Sequence, residues 1–214
     1  MTNTTQRLQY VLDRLSPFAA EHGLQWLARQ SQFRAREPYG FRSLIVSVSH
    51  YAQDSMVELH LGLRNDLIET TAFRYTDGLT VFAPDSLTLV ASTAKLRGLR
   101  TDRHLIATEA DADRVMRSLL TWIGREGPAF WERYASLGQI DAALNHQPEA
   151  PTYLIPNAQL RCFRGLVAAR YAQRPGWEQL IPVYRRELQR LYATPALLHG
   201  YVQLATFLRS YLPN

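Results

Sequence analysis

Of the 214 residues, one is cysteine and one is lysine, and no apolar run is long. The single cysteine, Cys162, excludes an intramolecular disulfide and suits a reducing compartment, so the expected location is the cytoplasm. No stretch approaches the ~20 apolar residues a helical membrane span needs, and no membrane partner is expected. Residues Met1 to Gln6 lack the basic start and apolar stretch of a secretory signal. Glycine-rich phosphate loops of either common type are missing, and Gly-Leu-Arg-Thr at 98–101 is too short to form one. The six histidines (His22, His50, His60, His104, His146, His199) fall at no metal-ligand spacing, and there is no second cysteine to join them. No metal and no cofactor is therefore expected.

The composition is 46% apolar and 20% charged, ordinary for a globular protein. Its 24 basic residues outnumber 19 acidic ones, and all but Lys95 are arginine. Arginine is the better fork for phosphates and carboxylates, which raises a polyanion partner. The arginines nevertheless run evenly from Arg7 to Arg209, as a codon bias would spread them, whereas a nucleic-acid binder gathers charge on one face. Three basic groupings stand out: Lys95–His104, Arg161/Arg164/Arg170/Arg174 and Arg185/Arg186/Arg190. Acidic residues at Asp102, Glu178 and Glu187 interrupt them, and the nearby aromatics lie on apolar stripes. Nucleic acid is the less favoured partner and stays open to test by salt dependence.

Periodicity divides the chain near residue 108. Before it, residues 5–21 read as a helix that Pro17 kinks or ends and Gly23 stops, and residues 24–36 read as a strand. Pro38-Tyr39-Gly40 makes a turn. Residues 41–51 and 56–64 alternate apolar and polar as the two clearest strands. Residues 65–76 are either strand or a helix begun at Asn65 or Asp66, with weaker strands at 80–82 or 86–91 and at 104–107. After it the period is helical. Thr108 and Asp111 form a capping box, Gly124 and Gly127 break the first helix, and Pro128 opens a second one through Leu144. Helices are expected at 157–172, 177–192 and 195–211, with Asn157 and Thr194 as caps and a bend at Pro182. Gly165-Leu-Val and Gly200-Tyr-Val stand 35 positions apart, near a tetratricopeptide period, but the rest of that pattern is missing.

A four-residue loop, 52–55, would set Val48 opposite Leu59, Val46 opposite Leu61 and Leu44 opposite Leu63. A slip by one residue would set leucines against serines, whereas a slip by two remains open. On the polar side this register pairs Ser49 with Glu58, Ser47 with His60 and Ser43 with Arg64. Ser47, His60 and Glu58 are the residue types of a nucleophile, a base and its orienter. They lack the strained turn and backbone donors that hydrolases place beside the nucleophile, so they stand as weak catalytic candidates. The milder reading of the same face, to which the preceding strand adds Gln30, Gln32 and Arg34, is a ligand or partner surface carrying Arg34, Ser49, His60 and Arg64.

The runs Phe41–Val48, Glu58–Arg64 and Phe130–Tyr134 resemble, over roughly residues 5–145, bacterial α+β families of small cytoplasmic proteins whose roles are uncharacterised. Some of those families look like immunity or accessory proteins encoded beside toxins, so the resemblance implies a protein partner and no catalysis. It carries no site residue across.

The expected architecture is α+β: an antiparallel sheet of four to five strands, helices 109–145 on the face made by Leu44, Val46, Val48, Leu59, Leu61 and Leu63, and a helical C-terminal part. The expected parts are residues 1–146 and 152–214, joined by the linker at 147–152. The functional expectation is a non-enzymatic bacterial binding protein with a protein partner or self-association. The alternatives are a small hydrolase using Ser47, His60 and Glu58, and a polyanion binder using the arginine clusters.

Overall fold

A computed structural model describes residues 4–51, 54–76 and 84–211. Its elements are helix α1 (Thr4–Glu21), strands β1 (Gln25–Leu27), β2 (Gln32–Glu37), β3 (Gly40–His50) and β4 (Ser55–Asn65), and helix α2 (Asp66–Phe73). Then come β5 (Leu89–Ser92), α3 (Thr93–Leu96), β6 (His104–Ile106), α4 (Glu109–Arg133), α5 (Leu137–Asn145), α6 (Ala158–Tyr171), α7 (Leu180–Arg190) and α8 (Pro195–Ser210). The protein is α+β, as the change of period implies. Among the described residues the sheet runs β1-β2-β3-β4-β5, with β6 also paired to β4. The weak strand expected at 80–82 lies outside the described residues.

By its contacts the chain forms two compact units, Met1–Leu63 with Ala91–Glu132, and Arg64–Val90 with Arg133–Asn214. The chain thus passes between units at 63/64, 90/91 and 132/133, while the sequence reading placed its boundary in the 147–152 linker.

In the first unit α1 runs through Pro17 instead of ending there. It stops at Gly23, whose φ of 65° lets Leu24 N–H reach Ala19 C=O and Gly23 N–H reach Ala20 C=O, a Schellman cap. The single strand expected at 24–36 is two: Ser31, left-handed at φ 50°, ends a 3₁₀ turn that folds β1 onto β2, with Trp26 opposite Phe33. The Pro38-Tyr39 turn then closes β2 on β3 at Glu37 and Gly40.

Helix α4 begins where expected: Asp111 N–H donates to Thr108 Oγ1, and Thr108 N–H donates to Asp111 Oδ2. It does not break at Gly124 and Gly127, and Pro128 lies inside it. A Cβ at 127 would meet Phe18 of α1, Ile123 and Leu61 of β4 at ordinary contact distances of 3.5–3.8 Å, so the helix packs closely on both here. The proline removes the bond that Gly124 C=O would accept, and residue 124 is exposed, where water can take its place. Trp131 Nε1 donates to Gly62 C=O at 3.1 Å and fixes the helix along β4. Leu44, Leu59, Leu61 and Leu63 are wholly buried, each worth about 2 kcal/mol of transfer energy. Helix α5, expected beside α4, belongs to the other unit.

In the second unit Asn65 caps α2 by accepting from Ile68 N–H, which resolves the ambiguity of 65–76 in favour of helix. Helix α6 is buried at every position from Arg161 to Ala169 and touches α2, α5, α7 and α8. Asn157 and Thr194 cap α6 and α8 as expected. Pro182 falls in the first turn of α7, where no intrahelical donor is lost. The two Gly-x-Val positions mark tight packing and no repeat: a Cβ at 165 would collide with Tyr184 and Asn145, and one at 200 with the Tyr75 carbonyl.

Candidate binding surface

The β3–β4 hairpin is tighter than its sequence suggested. Tyr51 N–H donates to Asp54 C=O at 2.8 Å, and His50 Nδ1 lies 2.9 Å from Ser55 Oγ, so His50 stands opposite Ser55. Carried along a regular ladder, this closure places Ser47 opposite Glu58 and Ile45 opposite His60, two residues from the expected register. The apolar parity survives, because a shift of two keeps each side chain on its face. The pairing of Ser47 with His60 does not. Among the described residues no hydrogen bond joins Ser47 to His60 or to Glu58, so the nucleophile–base–orienter arrangement is not assembled.

Strand β6 reshapes this face. It pairs antiparallel with the start of β4, Leu105 opposite Met56 and His104 opposite Val57. Leu105, Met56, Glu58 and His60 consequently share a side, with Ser47 and Ser49 on β3. Leu105 is 52% exposed. Arg103, one residue before β6, reaches Glu58, its Nε 3.2 Å from Oε2. The same carboxylate oxygen lies 3.9 Å from His60 Nε2. Burial holds the His60 pKa below the usual histidine value, the Arg103 charge lowers it further, and Glu58 only partly opposes them. The imidazole is thereby held toward its neutral form. The face is therefore apolar at Leu105 and Met56 with a ring of charged and hydroxyl groups, greasier than the serines of β3 implied. A three-residue strand of this kind carries no period to read, so the sequence could not reveal its register.

Of the other two expected members, Arg34 keeps to the same side of the sheet and Arg64 is buried. The Arg34 guanidinium stacks on the Phe41 ring at 3.8 Å, on the row that pairs it with Gln25 and Ser43. Arg64, expected on the open face opposite Ser43, is 6% exposed. Its Nη1 donates to Ser86 C=O and Oγ at 3.0 and 2.8 Å, and its Nε pairs with Asp66. The reason is local: β4 ends one residue later, and the turn into α2 brings Asp66 against it. Ser86 Oγ in turn donates to Glu69 Oε2 at 2.7 Å, and Arg164 Nη2 pairs with that oxygen at 2.8 Å. Glu69 is wholly buried, and its Oε1 accepts nothing among the described residues. Sequence reasoning missed this chain of charges because its members lie up to 100 positions apart.

The Arg161/Arg164/Arg170/Arg174 grouping turns inward, while Arg185, Arg186 and Arg190 are exposed. Arg161 donates to the carbonyls of Leu144, Gln147 and Ala150 past the end of α5. Arg170 donates to the Leu208 and Tyr211 carbonyls at the end of α8, and Arg174 pairs with Asp141. These cations meet the carbonyl-rich ends of helices or a carboxylate. Arg97 contacts both oxygens of Asp102 at 3.0 Å, and His104 Nε2 lies 2.9 Å from Asp102 Oδ1.

Among the described residues no group of three metal-ligating side chains converges, and no helix is long and apolar enough to cross a membrane. Burial pushes the Cys162 thiol up to about 12, which leaves it protonated and unreactive. The serine that does meet a histidine, Ser55, is wholly buried and out of a substrate's reach. No protein-family model, no curated protein and no solved structure matches the chain.

Proposed function

We propose that this chain is a non-enzymatic binding protein of the bacterial accessory or immunity type, and that it engages a protein partner through the β3–β4–β6 face. The observation that carries the reading is Leu105, a large aliphatic side chain half open to solvent on a paired sheet row, with Met56 beside it and Arg103, Glu58, His60, Ser47 and Ser49 around it. An apolar centre with a hydrogen-bonding rim is the anatomy of a protein interface. Exposed leucine on a strand is costly to solubility unless something covers it. Of the expected ligand-binding residues, Ser49 and His60 belong to this surface, Arg34 lies on the same side of the sheet with its guanidinium stacked on Phe41, and Arg64 is buried in its own ion pair.

The test is affinity capture from the native host with tagged protein, read by mass spectrometry, for the wild type, Leu105→Arg and the distant control Val202→Arg, another exposed aliphatic position. A specific partner retained by wild type and Val202→Arg and lost with Leu105→Arg supports the reading. Equal capture by all three contradicts it.

A further inference from the structure

The second unit contains a cavity that the docking surface does not use. Of about 110 Å³, it is lined among others by Pro151, Ile155 and Pro156 from the segment between α5 and α6, by Ala158 and Arg161 of α6, and by Glu187 of α7. A cavity of ~150 Å³ accepts benzene, so this one has room for about five or six non-hydrogen atoms.

Its polar groups are of opposite sign and differently satisfied. Arg161 is 6% exposed, and its guanidinium makes four hydrogen bonds to three carbonyls: Nε and Nη2 to Leu144, Nη2 also to Gln147, and Nη1 to Ala150. Guanidinium has five N–H groups, so among the described residues one Nη1 hydrogen has no acceptor. The cavity wall also includes Ala158, the first residue of a 14-residue helix whose free N–H groups and dipole favour an anion. The prolines contribute no backbone N–H, so donors to a ligand come from Arg161, Thr152 and the start of α6, with the Arg190 guanidinium, itself paired to Glu187, also in the wall. Glu187 supplies the opposite pole. Its carboxylate meets Arg190 Nε at 2.8 Å and Nη2 at 2.5 Å, which occupies two of about four acceptor positions. The Arg190 hydrogen bonds and the charge of Arg161 hold the Glu187 carboxyl below its ordinary pKa, consistent with a permanent anion.

We infer that this cavity binds a small zwitterion, an amino acid of the size of glycine or alanine, with its carboxylate toward Arg161 and the start of α6 and its ammonium toward Glu187. A lone carboxylate would leave Glu187 facing a like charge, and a lone amine would leave the Arg161 hydrogen unmet. Ile155 and the prolines accept the aliphatic part. The inference stands apart from the docking surface, which lies in the other unit.

The experiment is two-dimensional NMR titration of the full chain with glycine, L-alanine, acetate and ethylamine. A ligand of this size is expected to bind with a dissociation constant of about 1 mM. Glycine or alanine should shift the amides of 155–162 and 187–190, with acetate and ethylamine each at least about tenfold weaker, since each loses one charge-assisted pairing. Glu187→Gln should weaken alanine about tenfold and leave acetate unweakened. Ala158→Leu, at an exposed position whose larger side chain fills the cavity, should abolish binding while the rest of the spectrum is unchanged. Acetate binding as tightly as alanine, undiminished alanine binding in Glu187→Gln or Ala158→Leu, or no saturable shift with either amino acid overturns the inference.

Discussion

Arg103 and His60 share one carboxylate oxygen, Glu58 Oε2, at 3.2 and 3.9 Å. The arginine holds the oxygen within hydrogen-bond distance and the histidine does not, so the imidazole sits beside an ion pair that is already made. The contact ties β6 to β4 by a side chain as well as by the ladder, and it frames the exposed Leu105 between them.

His60 sets a pH dependence. Its folded pKa is lowered, chiefly by burial, so between that value and the ordinary histidine value the unfolded chain binds the extra proton. The stability this group contributes is complete above about pH 6.5 and is lost as pH falls through its folded pKa. Urea denaturation from pH 7.5 to 5 should show stability falling in acid, and His60→Gln should flatten that slope. An unchanged slope in the variant would exclude His60 as its source.

The pair Glu69–Arg164 is buried at 2.8 Å with side chains 0% and 7% exposed. Removing one partner leaves an uncompensated charge, so Glu69→Leu should cost about 3–5 kcal/mol. The double variant Glu69→Leu/Arg164→Met should recover most of that loss. Chemical denaturation of the four members of the cycle measures it, and additive losses would mean that the two groups act independently.

Two helical glycines should respond oppositely to the same change. A Cβ at Gly200 meets the Tyr75 carbonyl, while one at Gly124 meets nothing within 4 Å. Gly200→Ala should lower stability by about 1–3 kcal/mol, and Gly124→Ala should raise it by about 0.5–1 kcal/mol. Thermal melts of both variants decide the matter.

Legibility in the sequence followed the range of the interaction. Elements set by neighbouring residues were readable: the Thr108 box, the Asn157 and Thr194 caps, and the alternation in β3 and β4 that separates Leu59 and Leu61 from Glu58 and His60. Breakers misled wherever packing overruled them. Gly127 and Pro128 read as a helix boundary, yet α4 runs through both and residue 127 is buried close to Phe18 and Leu61. The Ser136–Gln139 capping box of α5 went unread because the preceding helix was extended through it. At the surface, parity was fixed by the apolar pattern, but register depended on the length of one loop. Leu105 came from a strand too short to have a period, and Arg64 was drawn away by Asp66 and Ser86.

The docking role of the β3–β4–β6 face is tested most directly by placing a photo-crosslinking amino acid at Leu105, and separately at Val202, in the native host. Ultraviolet irradiation should trap one discrete protein partner at position 105 and not at 202. Identical crosslinked products from both positions, or none at 105 while the folded protein accumulates normally, would contradict the assignment of this face as the binding surface.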